Sequence, residues 1–396
     1  MPTLKNRIRR LSKGYLNDFI QVRRHFHMYP ELSGKEAATA DFISKKLKEW
    51  EIKHQTGIAG NGIVAHIKGE LPGEKVIALR ADMDALPIQE KNKVEYASKN
   101  KGVMHACGHD IHMASMLGTV RLLKSLQAEF GGTVKIIFQP SEEKYPGGAL
   151  PMIKAGALDK PRAGLIVGQH VFPELEAGKV GFRSGNYMAS TDEVHLTVKG
   201  RGGHAAIPHK VVDPVLIGAH IVVALQQIVS RNAKATIPTV LSFGRVIAEG
   251  QANIIPDEVK ISGTMRTFDE EWRLEMQEKI TKIATSIAEG MGGSCIVDIH
   301  RGYPFVYNDP KVTEKIRKYA EDYLGKDKVV DLEMRMTAED FSYFAREVPG
   351  CFYRLGVMNE AKGITSNLHT ATFDADESSL ETGIGLMTWI VMNELT

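Results

Sequence analysis

Four apolar runs, VIALRAD (76–82), TVKIIFQ (133–139), GLIVGQH (164–170) and CFYRLGV (351–357), recur along the chain with helical stretches between them. Runs that are apolar without alternation are those of strands covered on both faces, and parallel sheets flanked by helices are where such strands occur. GIVAHI (62–67) adds a fifth strand. A helix is expected from about Asp110, where Met113, Met116, Leu117, Val120 and Leu123 recur at helical spacing. Ser33 and Glu36 read as a capping box ahead of a helix bearing Phe42, Ile43, Leu47 and Trp50. The fold class is therefore α/β, with a mainly parallel sheet covered by helices.

Between about Asn186 and Pro304 the rhythm changes to strand, helix, two strands, helix, strand. That βαββαβ order is the ferredoxin-like motif, which forms a small domain by itself. The predicted organisation is a discontinuous domain of residues 1–185 plus 305–396 with a lid inserted at 186–304. Two domains also agree with a length of 396 residues, more than one core usually organises.

A net charge of +2 with interspersed signs leaves no nucleic-acid footprint and no polybasic membrane patch, so small solutes are the expected partners. Three widely separated cysteines, Cys107, Cys295 and Cys351, argue against a disulfide framework and for a reducing compartment. The first 20 residues carry basic side chains without the apolar core of a secretory signal, and no later stretch reads as a bilayer span. The expected location is cytoplasmic.

The octet HACGHDIH (105–112) places a thiol and an imidazole two residues apart around a glycine, which lets two donors face one ion. QPSEE (139–143), GQHVFP (168–173) and NLHTATF (367–373) add carboxylates and imidazoles after strand-like runs. In a parallel α/β sheet, loops beyond the carboxyl ends of strands share a crevice, so these segments are expected to converge on a divalent-metal hydrolase site. Spacing alone leaves His105 and His112 competing with Cys107 and His109. Pro140 and Ser141 interrupt the strand and free both Glu142 and Glu143 to face the crevice, one to bind metal and one to accept a proton. Asp82 and Asp84 follow a strand, and Asp84 is expected to orient a ligand imidazole. In the insert, GRGGHAAIPH (200–209) carries His204 on a glycine-rich turn, while Asn253 and Arg266 supply an amide and a guanidinium suited to a carboxylate.

IALRADMDALPIQE (77–90), HACGHDIHMASMLG (105–118), FQPSEE (138–143), GRGGHAAIPH, ANIIPDEVKISGTMRTFD (252–269), AEDFSYF (338–344) and NLHTATFDADE together resemble the bacterial and plant amidohydrolases of the aminoacylase and carboxypeptidase superfamily. Hippurate hydrolases, N-acyl-amino-acid amidohydrolases, N-acetyldiaminopimelate deacetylases and indoleacetic-acid-conjugate hydrolases belong to that group, and the similarity spans nearly the whole chain. The resemblance implies two divalent ions per subunit, zinc or manganese. It further implies that Cys107 bridges them, that His109, Glu143, His170 and His369 are the other ligands, and that Glu142 is the general base. It implies a homodimer formed through the lid, with His204 reaching the partner's site to polarise the scissile carbonyl and Asn253 and Arg266 binding substrate. One departure is visible: Ala371 stands where the family often has proline, which bears on the rigidity of the loop after His369.

The expected activity is hydrolysis of an N-acyl amino acid to a carboxylic acid and an amino acid. The same chemistry on another acyl group would make the chain a dipeptidase or an aminobenzoyl-glutamate hydrolase. A silent metal-binding protein would have no use for an unliganded Glu142 beside Glu143. A thiol sensor at Cys107 lacks a resolving cysteine nearby.

Overall fold

A computed structural model describes residues 3–396, which divide into two compact units. The first comprises the described residues up to Tyr187, Tyr307–Glu333 and Asp340–Thr396; the second comprises Met188–Val306 and Met334–Glu339. Met334–Glu339 therefore packs with the insert and not, as the strand and helix rhythm predicts, with the surrounding domain.

The first unit is built on an eight-stranded sheet. Its central strands, Gly131–Gln139, Leu71–Asp82, Leu165–Glu176 and Gly350–Met358, lie side by side and parallel. Antiparallel Gly62–Lys68 and Lys53–Ile58 extend one edge. Residues such as Ile77, Leu79, Val134, Ile136, Val167 and Leu355 are fully buried, the two-sided burial that the unbroken apolar runs require. Register aligns Asp82 with Gln139, so the loops after these two strands emerge together.

Helices Leu4–Met28, His109–Ser125 and Ser379–Leu395 pack on one another. The first is 25 residues long and buries Ile8, Phe19 and Phe26. The capping box is corrected by the structure: the helix Ala37–Glu49 has no cap from Ser33. Its first amides, Ala38 N–H and Thr39 N–H, donate instead to the Glu31 carboxylate at 3.2 and 2.7 Å, an anion at a helix N-terminus. Ser33 and Glu36 are engaged elsewhere.

The second unit has a four-stranded antiparallel sheet in the order Thr239–Ile247, Glu258–Thr267, Asp192–Lys199, Ser294–Arg301. Numbered along the chain this is 2-3-1-4, the ferredoxin-like arrangement. Helices Pro214–Gln227 and Glu270–Gly290 cover one face, burying Val194, Leu196, Ile217, Ile221, Val259, Met276 and Ile280. Contrary to the sequence expectation, the helical stretch Pro214–Asn232 is long and apolar enough to cross a bilayer by composition. Its apolarity has two origins: Ile217, Ile221, Leu225 and Ile228 fill the core, and Val215, Leu216 and Val223 are exposed.

Candidate metal centre

The strand Gly131–Gln139 ends at Pro140, and Ser141 then takes a left-handed backbone conformation, φ 56°. This turn lets the adjacent Glu142 and Glu143 face one space, which successive residues of a strand could not do. Two buried carboxylates hold it. Asp84 accepts Glu142 N–H and Glu143 N–H at 3.0 and 2.9 Å and the Ser33 hydroxyl at 2.6 Å. Glu36, fully buried, accepts Ser141 N–H at 2.8 Å, the Ser141 hydroxyl at 3.2 Å, Gly34 N–H at 2.9 Å and the Asn61 amide at 2.9 Å.

Cys107 and His109 flank Gly108, whose φ is 78°; a Cβ there would lie 2.5 Å from Val171 Cγ2, so only glycine fits this approach. His109 Nδ1 donates to the Asp84 main-chain carbonyl at 2.8 Å, which turns Nε2 inward. The imidazole is thus oriented chiefly by the Asp84 backbone, with the carboxylate 3.5 Å from Nδ1 and committed to the glutamate amides. His170 lies within the strand Leu165–Glu176, opposite Arg354, and not beyond its end as the sequence reading had it. Its Nδ1 donates to the Val171 carbonyl at 2.8 Å, and its Nε2 is 3.5 Å from Cys107 Sγ.

His369 arrives from a loop well past the strand Gly350–Met358. It too has left-handed backbone, φ 59°, and its N–H donates to the Ala106 carbonyl at 2.8 Å. Its Nε2 is 3.3 Å from both Cys107 Sγ and Glu143 Oε1. The loop does not depend on a proline at 371, because Lys91 N–H donates to the Ala371 carbonyl and the Asn92 amide to the Phe373 carbonyl, both at 2.8 Å.

Cys107 thereby belongs to two donor triads, one with His109 and His170 and one with Glu143 and His369; within each, the donor atoms lie within 4.8 Å of one another. His109, Glu142 and Glu143 form a further such group. His112 is spent otherwise: Nδ1 donates to Asp82 at 2.6 Å and Nε2 accepts Val171 N–H at 2.8 Å. His105 is buried with neither ring nitrogen hydrogen-bonded among the described residues, and burial pushes its pKa down to about 3.

The donors fit a pair of cations. His109 Nε2 and Glu143 Oε1 are buried atoms without a hydrogen-bond partner among the described residues, 3.9 Å apart. Leaving such atoms unpaired costs about 1–3 kcal/mol each, a penalty that a metal bond removes. Burial, Glu143 and Glu142 drive the Cys107 pKa well upward, while burial of His109 is outweighed by Asp82, Asp84 and Glu143, which raise it to about 10. Burial is the larger cause for Cys107, but in both groups the neighbouring carboxylates act in the direction of excess negative charge, which a divalent cation balances. The thiolate, imidazole and carboxylate set is that of a transition metal.

Buried ion pairs support the donors, and of their members Arg23 and His27 lie outside every motif that spacing singles out. Arg80 is buried and donates to Gln139 at 2.8 Å, to Asp82 at 2.6 Å and to Asp340 at 2.9 Å. Arg23, from the first helix, donates to Asp110 and Asp374 at 2.7 Å each, and His27 meets Asp110 at 2.8 Å. These contacts fix the segment after His109 to the one after His369. Arginines and acids in the RRHFH (23–27) and PELSGKE (30–36) segments were the available signal.

In the second unit the strands Gly203–His204 and Ile254–Ile255 pair, with Ile254 opposite His204, and Ala205 N–H donates to the Asn253 carbonyl at 3.0 Å. His204 and Asn253 therefore share one exposed ribbon. Ala206 N–H donates to His204 Nδ1 at 3.1 Å, which leaves Nε2 as the N–H end of a neutral ring. Arg266 is half-buried on Glu258–Thr267, and burial lowers its pKa.

Comparison with known proteins identifies the family of the chain. Residues 78–393 match the profile of peptidase family M20/M25/M40. The chain is 41% identical over 304 residues to an N-acyl-L-amino acid amidohydrolase of Geobacillus stearothermophilus, covering 77% of this chain and 81% of that one. It is 39% identical over 361 residues to the N-acetyl-L-cysteine deacetylase of Bacillus subtilis, covering 91% and 84%. Among solved structures, the Bacillus subtilis YXEP protein, a dinuclear metal-binding peptidase of the M20 family, superposes with a TM-score of 0.83 at 34% identity over 97% of this chain and 99% of that one. The chain belongs to peptidase family M20/M25/M40 and is a metal-dependent hydrolase of amide bonds.

Proposed function

We propose that the protein hydrolyses N-acyl amino acids, releasing a carboxylic acid and the free amino acid, at two divalent ions held by Cys107, His109, Glu143, His170 and His369. The observation that carries this reading is the membership of Cys107 in two donor triads, from which its thiolate would serve both ions. The activities named for the amidohydrolase and deacetylase relatives supply the substrate class. When bound, the ions supply the Lewis acidity that brings the pKa of water toward neutrality and polarises a carbonyl. Zinc and manganese both suit the donor set.

Glu142, 6% exposed and fixed through its amide to Asp84, accepts a proton from the attacking water. It then carries that proton to the leaving amine nitrogen as the C–N bond breaks. Asp84 acts through the loop: its carboxylate sets where Glu142 and Glu143 point. His204 Nε2–H donates to the developing oxyanion, a contribution of about 3–4 kcal/mol for one well-placed donor. Arg266 grips the substrate carboxylate and Asn253 a neighbouring polar group.

The assembly is a homodimer through the second unit, in which His204 serves the partner's site. Exposed Val215, Leu216 and Val223 on one helix support that interface, at 41%, 51% and 74% exposure. The working location is the cytoplasm, in keeping with three free cysteines. The test is a panel of N-acetyl, benzoyl and longer N-acyl amino acids with zinc or manganese restored to chelator-treated protein. Release of the free amino acid from one or more is expected; turnover of peptides alone would replace the substrate assignment.

A further inference from the structure

The strands Asp192–Lys199 and Ser294–Arg301 are antiparallel neighbours, with Glu193 opposite His300 and His195 opposite Asp298. Val194 and Leu196 on the first strand, and Val297 and Ile299 on the second, pack into the core of the second unit. Alternation therefore puts Glu193, His195, Asp298 and His300 together on the other face. The result is a two-by-two patch in which the imidazoles occupy one diagonal and the carboxylates the other.

The side chains turn toward one another. His195 Nε2 is 3.2 Å from Glu193 Oε2, and His300 Nε2 is 2.9 Å from Asp298 Oδ2. The two rings are 5.0 Å apart between centroids, tilted by 57°. Glu193, His195 and His300 each present a donor atom within 4.8 Å of the other two. His195 Nδ1 is 3.1 Å from the Ser262 hydroxyl on the third strand, which assigns that nitrogen to Ser262 and leaves Nε2 for the patch.

We infer that this face of the second unit holds a separate binding site for one divalent transition-metal ion, with His195, His300 and Glu193 as ligands and Asp298 as the fourth. A tetrahedral shell of imidazole and carboxylate donors at about 2.0–2.2 Å has its donors roughly 3.3–3.6 Å apart. Side-chain rotation closes the difference from the 4.8 Å within which the donors of Glu193, His195 and His300 lie, and Asp298 is already 2.9 Å from His300 Nε2. Two neutral imidazoles and two carboxylates carry a charge of −2, which one such ion cancels. Imidazole donors select zinc, copper or nickel over calcium and magnesium, which take oxygen shells. Side-chain exposure of 36% for His195 and 52% for His300 makes this an exchangeable site, weaker than the buried centre. None of the proposed ligands has a part in the reaction proposed above, although Glu193 lies close enough to Arg266 for the two charges to interact.

The experiment uses the full chain, stripped by chelation and dialysed against zinc across the micromolar range, with bound metal counted per chain. The wild type is expected to bind one ion more than His195→Gln/His300→Gln, while the double variant keeps the tight ions and its thermal midpoint. Single variants His195→Gln and His300→Gln are each expected to lose the same ion, which keeps the test valid if the double variant is unstable. Copper loaded into the wild type is expected to show splitting from two imidazole nitrogens that these variants lack. Equal metal counts in wild type and variants, with no change in the copper spectrum, would overturn the inference and leave two ordinary histidine–carboxylate pairs.

Discussion

Glu36 offers the most direct test of how the fold aims its catalytic carboxylates. Three donors converge on Glu36 Oε1, namely Gly34 N–H, Ser141 N–H and the Ser141 hydroxyl, and Asn61 binds Oε2. Hydrogen bonds to a charged acceptor contribute about 1.5–3 kcal/mol each, and a buried amide left unpaired costs about 1–3 kcal/mol. Glu36→Ala removes the acceptor for two amides beside a residue already in left-handed backbone, so a loss of about 3–5 kcal/mol is expected. In a unit of this size that lowers the melting temperature by roughly 6–20 °C. Glu36→Gln keeps one oxygen for Ser141 and meets Asn61 with an amide that Asn61 can match by rotating, so about 1–3 kcal/mol is expected. Because Ser141 leads directly into Glu142, releasing it displaces the base; a misplacement near 1 Å costs about 100-fold in rate. The assay is kcat and KM with metal content at a temperature where the alanine variant stays folded. A fall in kcat with Gln intermediate between wild type and Ala is expected. A folded Glu36→Ala protein with kcat within twofold of wild type would refute the reasoning.

Glu142→Gln is expected to abolish turnover while nearly all metal remains, read by kinetics beside elemental analysis; loss of metal instead would exchange the roles of Glu142 and Glu143. Cys107→Ser is expected to weaken metal binding more than folding, and unchanged stoichiometry and affinity would remove Cys107 from the ligands. Gly108→Ala places a Cβ 2.5 Å from Val171 at a φ of 78°, so a loss of about 2–4 kcal/mol is expected in denaturant melts; a variant as stable as wild type would show that the turn relaxes freely. Mixing inactive Glu142→Gln and His204→Ala subunits under conditions of exchange is expected to restore one working site per heterodimer. No recovery, with exchange shown independently, would confine His204 to its own subunit.

The sequence by itself determined the layers of the fold, because burial is written in its periodicities: unbroken apolar runs for the central parallel strands, and a βαββαβ rhythm for the ferredoxin-like sheet. It also exposed the donor residues, since thiols, imidazoles and paired carboxylates clustered in short motifs are few in a chain of this length. It could not show how donors distant in sequence are held, because that depends on register and on side chains crossing between loops. Alignment of Asp82 with Gln139 is what lets Asp84 hold the glutamate amides. Ser33 and Glu36, whose spacing fits a helix cap, point instead to Asp84 and Ser141, and Glu31 takes the helix amides. His112 has the chemistry of a ligand, yet Asp82 and Val171 N–H occupy both its nitrogens. Local sequence specifies which donors exist; only packing decides which of their lone pairs are left for a metal, since each buried polar atom bonds to whatever partner tertiary structure brings within 3 Å or so.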